Sequence, residues 1–270
     1  MSDAMASSSN RAPHVAVGLL SALLIGAALA PTLAPYAMDA LDLANRRAAP
    51  SWLHWFGTDE LGRDLLTRVL YGARVSLAIG LISAIVSAAI GAAIGAVAGY
   101  AGTWADDILM RVTDAMLAIP RLPLLMISAA VLQPSVPLLV LMVGLAGWME
   151  TARVVRAEVM SLSARDFVSA ARAMGATPLR VIVRHVLPGV VPAASVATTL
   201  AVGRGILLES ALSFFGVGVQ PPTASWGNML YQAQTTMTSE PWLAIFPGVM
   251  IFLTVLACNA VGDAIGAARS

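Results

Sequence analysis

Six stretches of this chain stay apolar for about 20 residues at a time, the helical length needed to cross a hydrocarbon core of roughly 30 Å. They lie near 15–34, 76–99, 109–131, 136–152, 189–210 and 242–264, the fourth being the shortest. Backbone polar groups in lipid find no water, so each stretch must satisfy its own hydrogen bonds as a helix. The expected fold class is therefore an all-α membrane protein with six transmembrane helices. Composition agrees: 58% of residues are hydrophobic and 11% charged, against about a quarter charged in soluble domains. Ala28-Leu29-Ala30 imitates a signal cleavage site. The run before it exceeds the roughly 7–15 apolar residues of a signal segment and carries little positive charge, so an uncleaved anchor is expected.

The basic residues are all arginine, with no lysine. A Walker A loop places a lysine on the β- and γ-phosphates, so this chain is not a P-loop ATPase by itself. With the N-terminus inside, the inner face would carry Arg11, Arg111, Arg269 and the six arginines from Arg153 to Arg184. The outer face would carry Arg46, Arg47, Arg63, Arg68 and Arg74. The positive-inside rule then puts both termini in the cytoplasm. The expected organisation is a cytoplasmic tail over 1–14, a first span over 15–34 and an outer loop over 35–75. A core over 76–264 follows, with a cytoplasmic loop at 153–188 and an outer loop at 211–241, and a cytoplasmic tail closes the chain at 265–270. A net charge of +1 gives no reason to expect nucleic acid, and the single Cys258 excludes an intrachain disulfide.

The polar island between the fourth and fifth spans carries the most specific signals. Ser163 with Asp166 three residues on is a variant capping box. Gly175 stands where a helix would end in the left-handed conformation. Thr177-Pro178 supplies a second N-cap with proline at the first helical position. Phe167, Ala170, Ala171 and Met174 fall at i, i+3, i+4 and i+7, one narrow apolar face with small residues at its centre. Two short helices meeting at a glycine turn suit a plug that seats in a partner.

Other segments say less on their own. Residues 56–74 contain a stripe of Leu61, Leu65, Leu66, Val69 and Leu70, with Asp59/Arg63 and Asp64/Arg68 at i, i+4, as in an amphipathic interfacial helix. Gly91-Ala-Ala-Ile-Gly95 and Gly95-Ala-Val-Ala-Gly99 are overlapping GxxxG patterns that permit close helix approach. Asp114, Arg121, Arg204 and Glu209 are ionisable residues in or near the spans, where charge usually faces a polar pathway or a partner. Arg121 sits between Pro120 and Pro123 in a helix those prolines should kink, two turns from Asp114, its expected partner. In the loop after the fifth span, Trp226 and the later Trp242 are expected as interfacial anchors.

Together these segments resemble one family, the inner-membrane permease subunits of ABC importers for dipeptides, oligopeptides and nickel, specifically the second permease of the pair. The matching pieces are Phe56-Gly-Thr-Asp-Glu-Leu-Gly-Arg-Asp64, Gly72-Ala-Arg-Val-Ser-Leu77, Gln220-Pro-Pro-Thr-Ala-Ser-Trp-Gly-Asn-Met-Leu230 and Phe246-Pro-Gly through Asn259 to Gly262-Asp263. The polar island looks like the family's EAA loop, with Ala170, Ala171, Gly175 and Pro188 in register and Ser169 where a glutamate is typical. The resemblance implies a type I importer permease fold, an N-terminal extra helix plus a five-helix core, in the cell inner membrane. It implies a homologous second permease, two ATPase subunits and an extracytoplasmic substrate-binding protein as partners, besides membrane lipid.

By that resemblance, Asp166, Phe167, Ala170, Ala171, Arg172, Met174 and Gly175 form the coupling helix on the ATPase. Gln220, Pro221 and Trp226 face the binding protein, and Asp114, Arg121, Arg204 and Glu209 line the pathway. No cofactor or metal is expected on this chain, since ATP and Mg belong to the partner ATPases. Di- and oligopeptides are the expected cargo, with nickel or another small solute as the alternative. A stand-alone secondary transporter or channel is the competing class, but no internal repeat of the kind such transporters carry is present.

Overall fold

The computed structural model describes residues 12–133 and 135–267, and among them every regular element is a helix. The expected tail positions 1–11 and 268–270, with Arg11 and Arg269, lie outside the described residues. The elements are α1 (Ala12–Ala28), α2 (Ala30–Leu33), α3 (Leu65–Ala101), α4 (Thr103–Ala118), α5 (Arg121–Leu132) and α6 (Val136–Leu145). They continue with α7 (Trp148–Ser163), α8 (Asp166–Ala173), α9 (Pro178–Val181), α10 (Leu187–Phe214), α11 (Trp226–Ala233) and α12 (Trp242–Ala267).

Three helical runs are long and apolar enough to cross a membrane: Leu65–Ala101, Pro178–Phe214 and Trp242–Ala267. Two expected spans are broken instead. The third divides into α4 and α5, bent by 79°, and the fourth into α6 and α7, bent by 42°. The first break has a local cause. Pro120 has no N–H and pushes Ile119 out of the helical region, and Ile119 is extended at φ −80°, ψ 123°. Pro123 sits in the first turn of α5, where a missing donor costs nothing. The first span is also interrupted, at Leu29 between α1 and α2. A π-helical turn at Ile182–Val186 joins α9 to α10, just ahead of Pro188, whose ring would crowd the Arg184 carbonyl in a regular α-helix.

The 37-residue α3 is the spine of the bundle, about 55 Å long at 1.5 Å per residue. Its glycine face packs against α7 of the same chain. A Cβ on Gly91 would stand 2.6 Å from the Trp148 carbonyl oxygen, and one on Gly99 2.7 Å from the Arg156 carbonyl oxygen. Higher sequence numbers meet higher ones, so α3 and α7 run parallel. At the far end of the face, Ala96 joins Val155, Val159, Val168, Val181, Val186 and Val190 in one apolar cluster that fixes α8 and α9 to the spine.

The segment before α3 differs from the expected interfacial helix. Residues 57–64 form a tight loop with Gly57 and Gly62 at positive φ, and Asp59 N–H donates to the Arg63 carbonyl. The cause is the aspartates, whose oxygens satisfy nearby backbone donors and so compete with helix. Asp59 Oδ1 accepts from Leu61 and Arg63 N–H, and Asp64 Oδ2 accepts from Thr67 N–H as the N-cap of α3. The apolar stripe is thus the opening of the spine itself. Asp59 does pair with Arg63 (2.7 Å), whereas Asp64 meets His54 Nδ1 at 3.0 Å rather than Arg68. Nearby, the Asn45 amide holds the Asp42 carboxyl below the usual carboxylate range, helped by the Asn45 and Ala44 backbone N–H groups.

Candidate functional site

The connection between α7 and α10 carries the outward-facing site. α7 runs through Ser163, and α8 begins after Arg165, which makes no side-chain cap. The expected Ser163–Asp166 capping box is therefore not formed. Asp166 instead lies in the first turn of α8, where a carboxylate suits the positive end of the helix dipole. The far end matches expectation. Gly175 takes φ +82°, its N–H donates to the Arg172 carbonyl, and Ala176 N–H reaches the Ala171 carbonyl at 3.1 Å. This is a Schellman ending. Thr177 then caps α9, accepting from Arg180 N–H.

The two faces of α8 are offset by one residue from the expected pattern. Val168 and Ala171 are buried against the spine cluster, while Phe167 (47% exposed) and Met174 (81%) stand outward with Ala170. Ala171 is thus a mounting residue rather than part of the open face. Val168 and Ala171 recur at i, i+3 just as Phe167 and Ala170 do, and periodicity alone does not say which stripe turns inward. Leu179 of α9 extends the open apolar patch at 71% exposure.

A ladder of ion pairs climbs α7 in successive turns. Arg156 holds Asp106 of α4, and Arg153 holds Asp114 of α4. Glu150 receives Arg121 of α5 at 2.9 Å and is also paired with Arg204 of α10. The expected Asp114–Arg121 pair is therefore not made, because the 79° break carries Arg121 away from the α4 axis. Arg121 and Arg204 are brought together, Asp114 meets the same α7 face at Arg153 instead, and Glu150 is the member that sequence reasoning missed.

Glu209 belongs elsewhere. It is fully buried and accepts hydrogen bonds from Ser76 Oγ (3.0 Å) and Ser213 Oγ (2.8 Å). Ser76 Oγ in turn accepts from Trp226 N–H, and Trp226 Nε1 donates to the Val69 carbonyl. Ser213 Oγ accepts from Val219 N–H. Glu209 therefore ties α3, α10 and the 216–228 loop together from inside, and lines no open space within this chain. Trp226 is likewise fully buried, so it is neither an interfacial anchor nor a residue that faces a binding protein. Gln220 and Pro221 stay exposed on the loop.

Among the described residues, a helical bundle with apolar spans, two of them bent, and a short capped helix pair on an internal connection defines a multi-pass membrane protein. Comparison with known proteins makes this specific. Residues 91–268 match the family described as the binding-protein-dependent transport system inner membrane component. A protein of Brucella suis biovar 1, provisionally named a peptide permease, is 41% identical over 256 residues, 94% of this chain and 85% of that protein. The glutathione transport system permease protein GsiD of Escherichia coli O6:K15:H31 is 40% identical over 242 residues, 89% of this chain and 80% of that protein. An inward-facing structure of the MetNI methionine ABC transporter superposes with a TM-score of 0.59 at 19% identity, covering 76% of this chain and 98% of that one. That likeness shows the fold, a type I ABC importer permease. The chain belongs to the inner-membrane permease components of binding-protein-dependent transport systems.

Proposed function

We propose that this chain is one of two permease subunits of an ATP-driven importer of peptides, including small ones of the glutathione type. The single observation that carries the reading is the outward face of α8. Phe167, Ala170 and Met174 stand on a short helix whose other side is locked to the spine by Val168 and Ala171. An apolar knuckle mounted this stiffly suits a groove on an ATPase subunit, and transmits a displacement instead of absorbing it. The names of the Brucella and Escherichia relatives support peptides over nickel as cargo.

In this reading both termini and α8 lie in the cytoplasm, in line with the arginine bias, and the 35–64 and 216–228 segments lie outside. ATP and Mg bind the partner ATPases. Their closure carries α8 inward, and the permease pair opens toward a loaded binding protein that docks near Gln220 and Pro221. Hydrolysis resets the cycle.

The test is co-expression with a second permease, ATPases and a binding protein from the same organism, followed by purification through this chain and reconstitution in liposomes. The expected result is a complex containing two ATPases that takes up labelled trialanine only with ATP and the binding protein. Uptake by this chain alone, without nucleotide, sinks the proposal.

A further inference from the structure

Along α7, Arg153 and Arg156 each meet one aspartate, Asp114 and Asp106, while Glu150 meets two arginines, Arg121 and Arg204. Two guanidiniums against one carboxylate leave an uncompensated positive charge among helices that cross the membrane. Such a charge does not face lipid; it turns toward a cavity or a counter-ion. The group is also open, with side-chain exposures of 20% for Arg121, 36% for Glu150 and 41% for Arg204.

The position is equally telling. Arg121 opens α5 just past the 79° break, Glu150 lies in the first turn of α7 just past the 42° bend, and Arg204 is toward the middle of α10. Both sharply bent spans thus contribute to one charged group. Discontinuous helices that converge near the middle of the membrane are where transporters place solute contacts.

We propose that Arg121, Glu150 and Arg204 form a way-station for the carboxylate of a translocating solute, a reading that rests on the peptide cargo proposed above. A guanidinium presents five N–H donors in a planar fork and binds carboxylates in pairs of parallel bonds. Arg121 spends Nη2 on Glu150 Oε1, and Arg204 turns Nη1 toward Oε2. An arriving carboxylate takes over the remaining donors, Arg204's first because it is the more exposed, and neutralises the excess charge. Glu150 keeps its own contacts throughout, so neither guanidinium is stranded without an acid when the solute leaves. An amide carbonyl accepts a weaker bond and leaves the excess charge uncompensated.

The assembled transporter with its binding protein is tested with trialanine and its C-terminal amide. The binding protein is common to both arms, so a change in the acid-to-amide uptake ratio caused by a permease substitution belongs to the permease. Arg204→Gln and Arg121→Gln should each lower that ratio about tenfold, the loss of one charge-assisted hydrogen bond, whatever either substitution does to uptake of both peptides together. An equal fall for both peptides, or an unchanged ratio, overturns the proposal.

A second measurement is independent of uptake. Phenylglyoxal modification of Arg204 in the assembled complex is followed by mass spectrometry with acetate or acetamide, trialanine or trialaninamide present. Protection by the two carboxylates and not by the amides supports the site. Equal protection overturns it, as does an Arg204 that never reacts and is therefore sealed against the partner subunit. A wild-type complex that takes up neither peptide, while carboxylates still protect Arg204, refutes the peptide cargo and leaves the carboxylate site standing.

Discussion

Arg172 lies over the ring of Tyr100, its guanidinium carbon 5.2 Å from the ring centroid. One residue is on the exposed connecting helix and the other is in the last turn of the spine; Arg172 stands one turn past the buried Val168, so this contact adds to the valine's hold on the same side of α8. A cation over an aromatic face at an exposed site contributes about 0.5–1 kcal/mol. Tyr100→Leu should therefore speed amide hydrogen exchange in 166–173 several-fold and lower ATP-driven uptake, while Tyr100→Phe behaves as wild type. Unchanged exchange in the leucine variant refutes a pinning role.

At Gly175 nothing lies within 4 Å of where a Cβ would be, so crowding is not the obstacle to substitution. The obstacle is φ +82°, which costs an L-residue on the order of 1–2 kcal/mol and a β-branched one more. Gly175→Val should insert in the membrane at normal levels yet lose most ATP-driven uptake and ATPase co-purification, with Gly175→Asn close to wild type. Normal uptake by the valine variant argues against a fixed angle between α8 and α9.

Gly95 is limited by space instead. A Cβ there would lie 2.9 Å from Val155 Cβ and clash with the Ala152 carbonyl, whereas Gly248 has open space around it. Gly95→Leu should destabilise the α3–α7 pair by roughly 1–3 kcal/mol or more and appear as a lower unfolding temperature in detergent. Gly248→Leu should not shift that temperature. Equal shifts would show that the close approach carries no special strain.

Glu209 tests the inner junction. Glu209→Ala strands the Ser76 and Ser213 hydroxyls in the interior, each unsatisfied group costing about 1–3 kcal/mol, whereas Glu209→Gln keeps an acceptor and the shape. The alanine variant should expose the 216–228 loop to limited proteolysis, with the glutamine variant intermediate. A loop equally resistant in both variants would remove Glu209 from the junction.

The parts legible in the sequence are those set by neighbours along the chain. Gly175 and Thr177-Pro178 declare a helix end and a helix start within a few residues, and both formed as read. Pro120 announced a break, though whether it kinks a helix or divides one depends on where the next helix finds support. The charge pairing was not legible. Asp114 and Arg121 were matched by sequence spacing, but the partners chosen, Arg153 and Glu150, lie 39 and 29 residues away. Only the three-dimensional path past two bends makes that choice. Val168 and Ala171 turned inward for a similar reason, because α8 has two apolar stripes and the valine cluster of α7, α9 and α10 selects one.

The uninterrupted course of α3 has a mechanical consequence. Tyr100 meets the knuckle near one end and Arg68 grips Gln232 at 3.1 Å near the other, with about 48 Å of unjointed helix between them. A lean of only five degrees about one end sweeps the opposite end through about 4 Å. The bundle has its elbows in the two bent helices beside this rod, so the rod is a lever whose pivots belong to its neighbours.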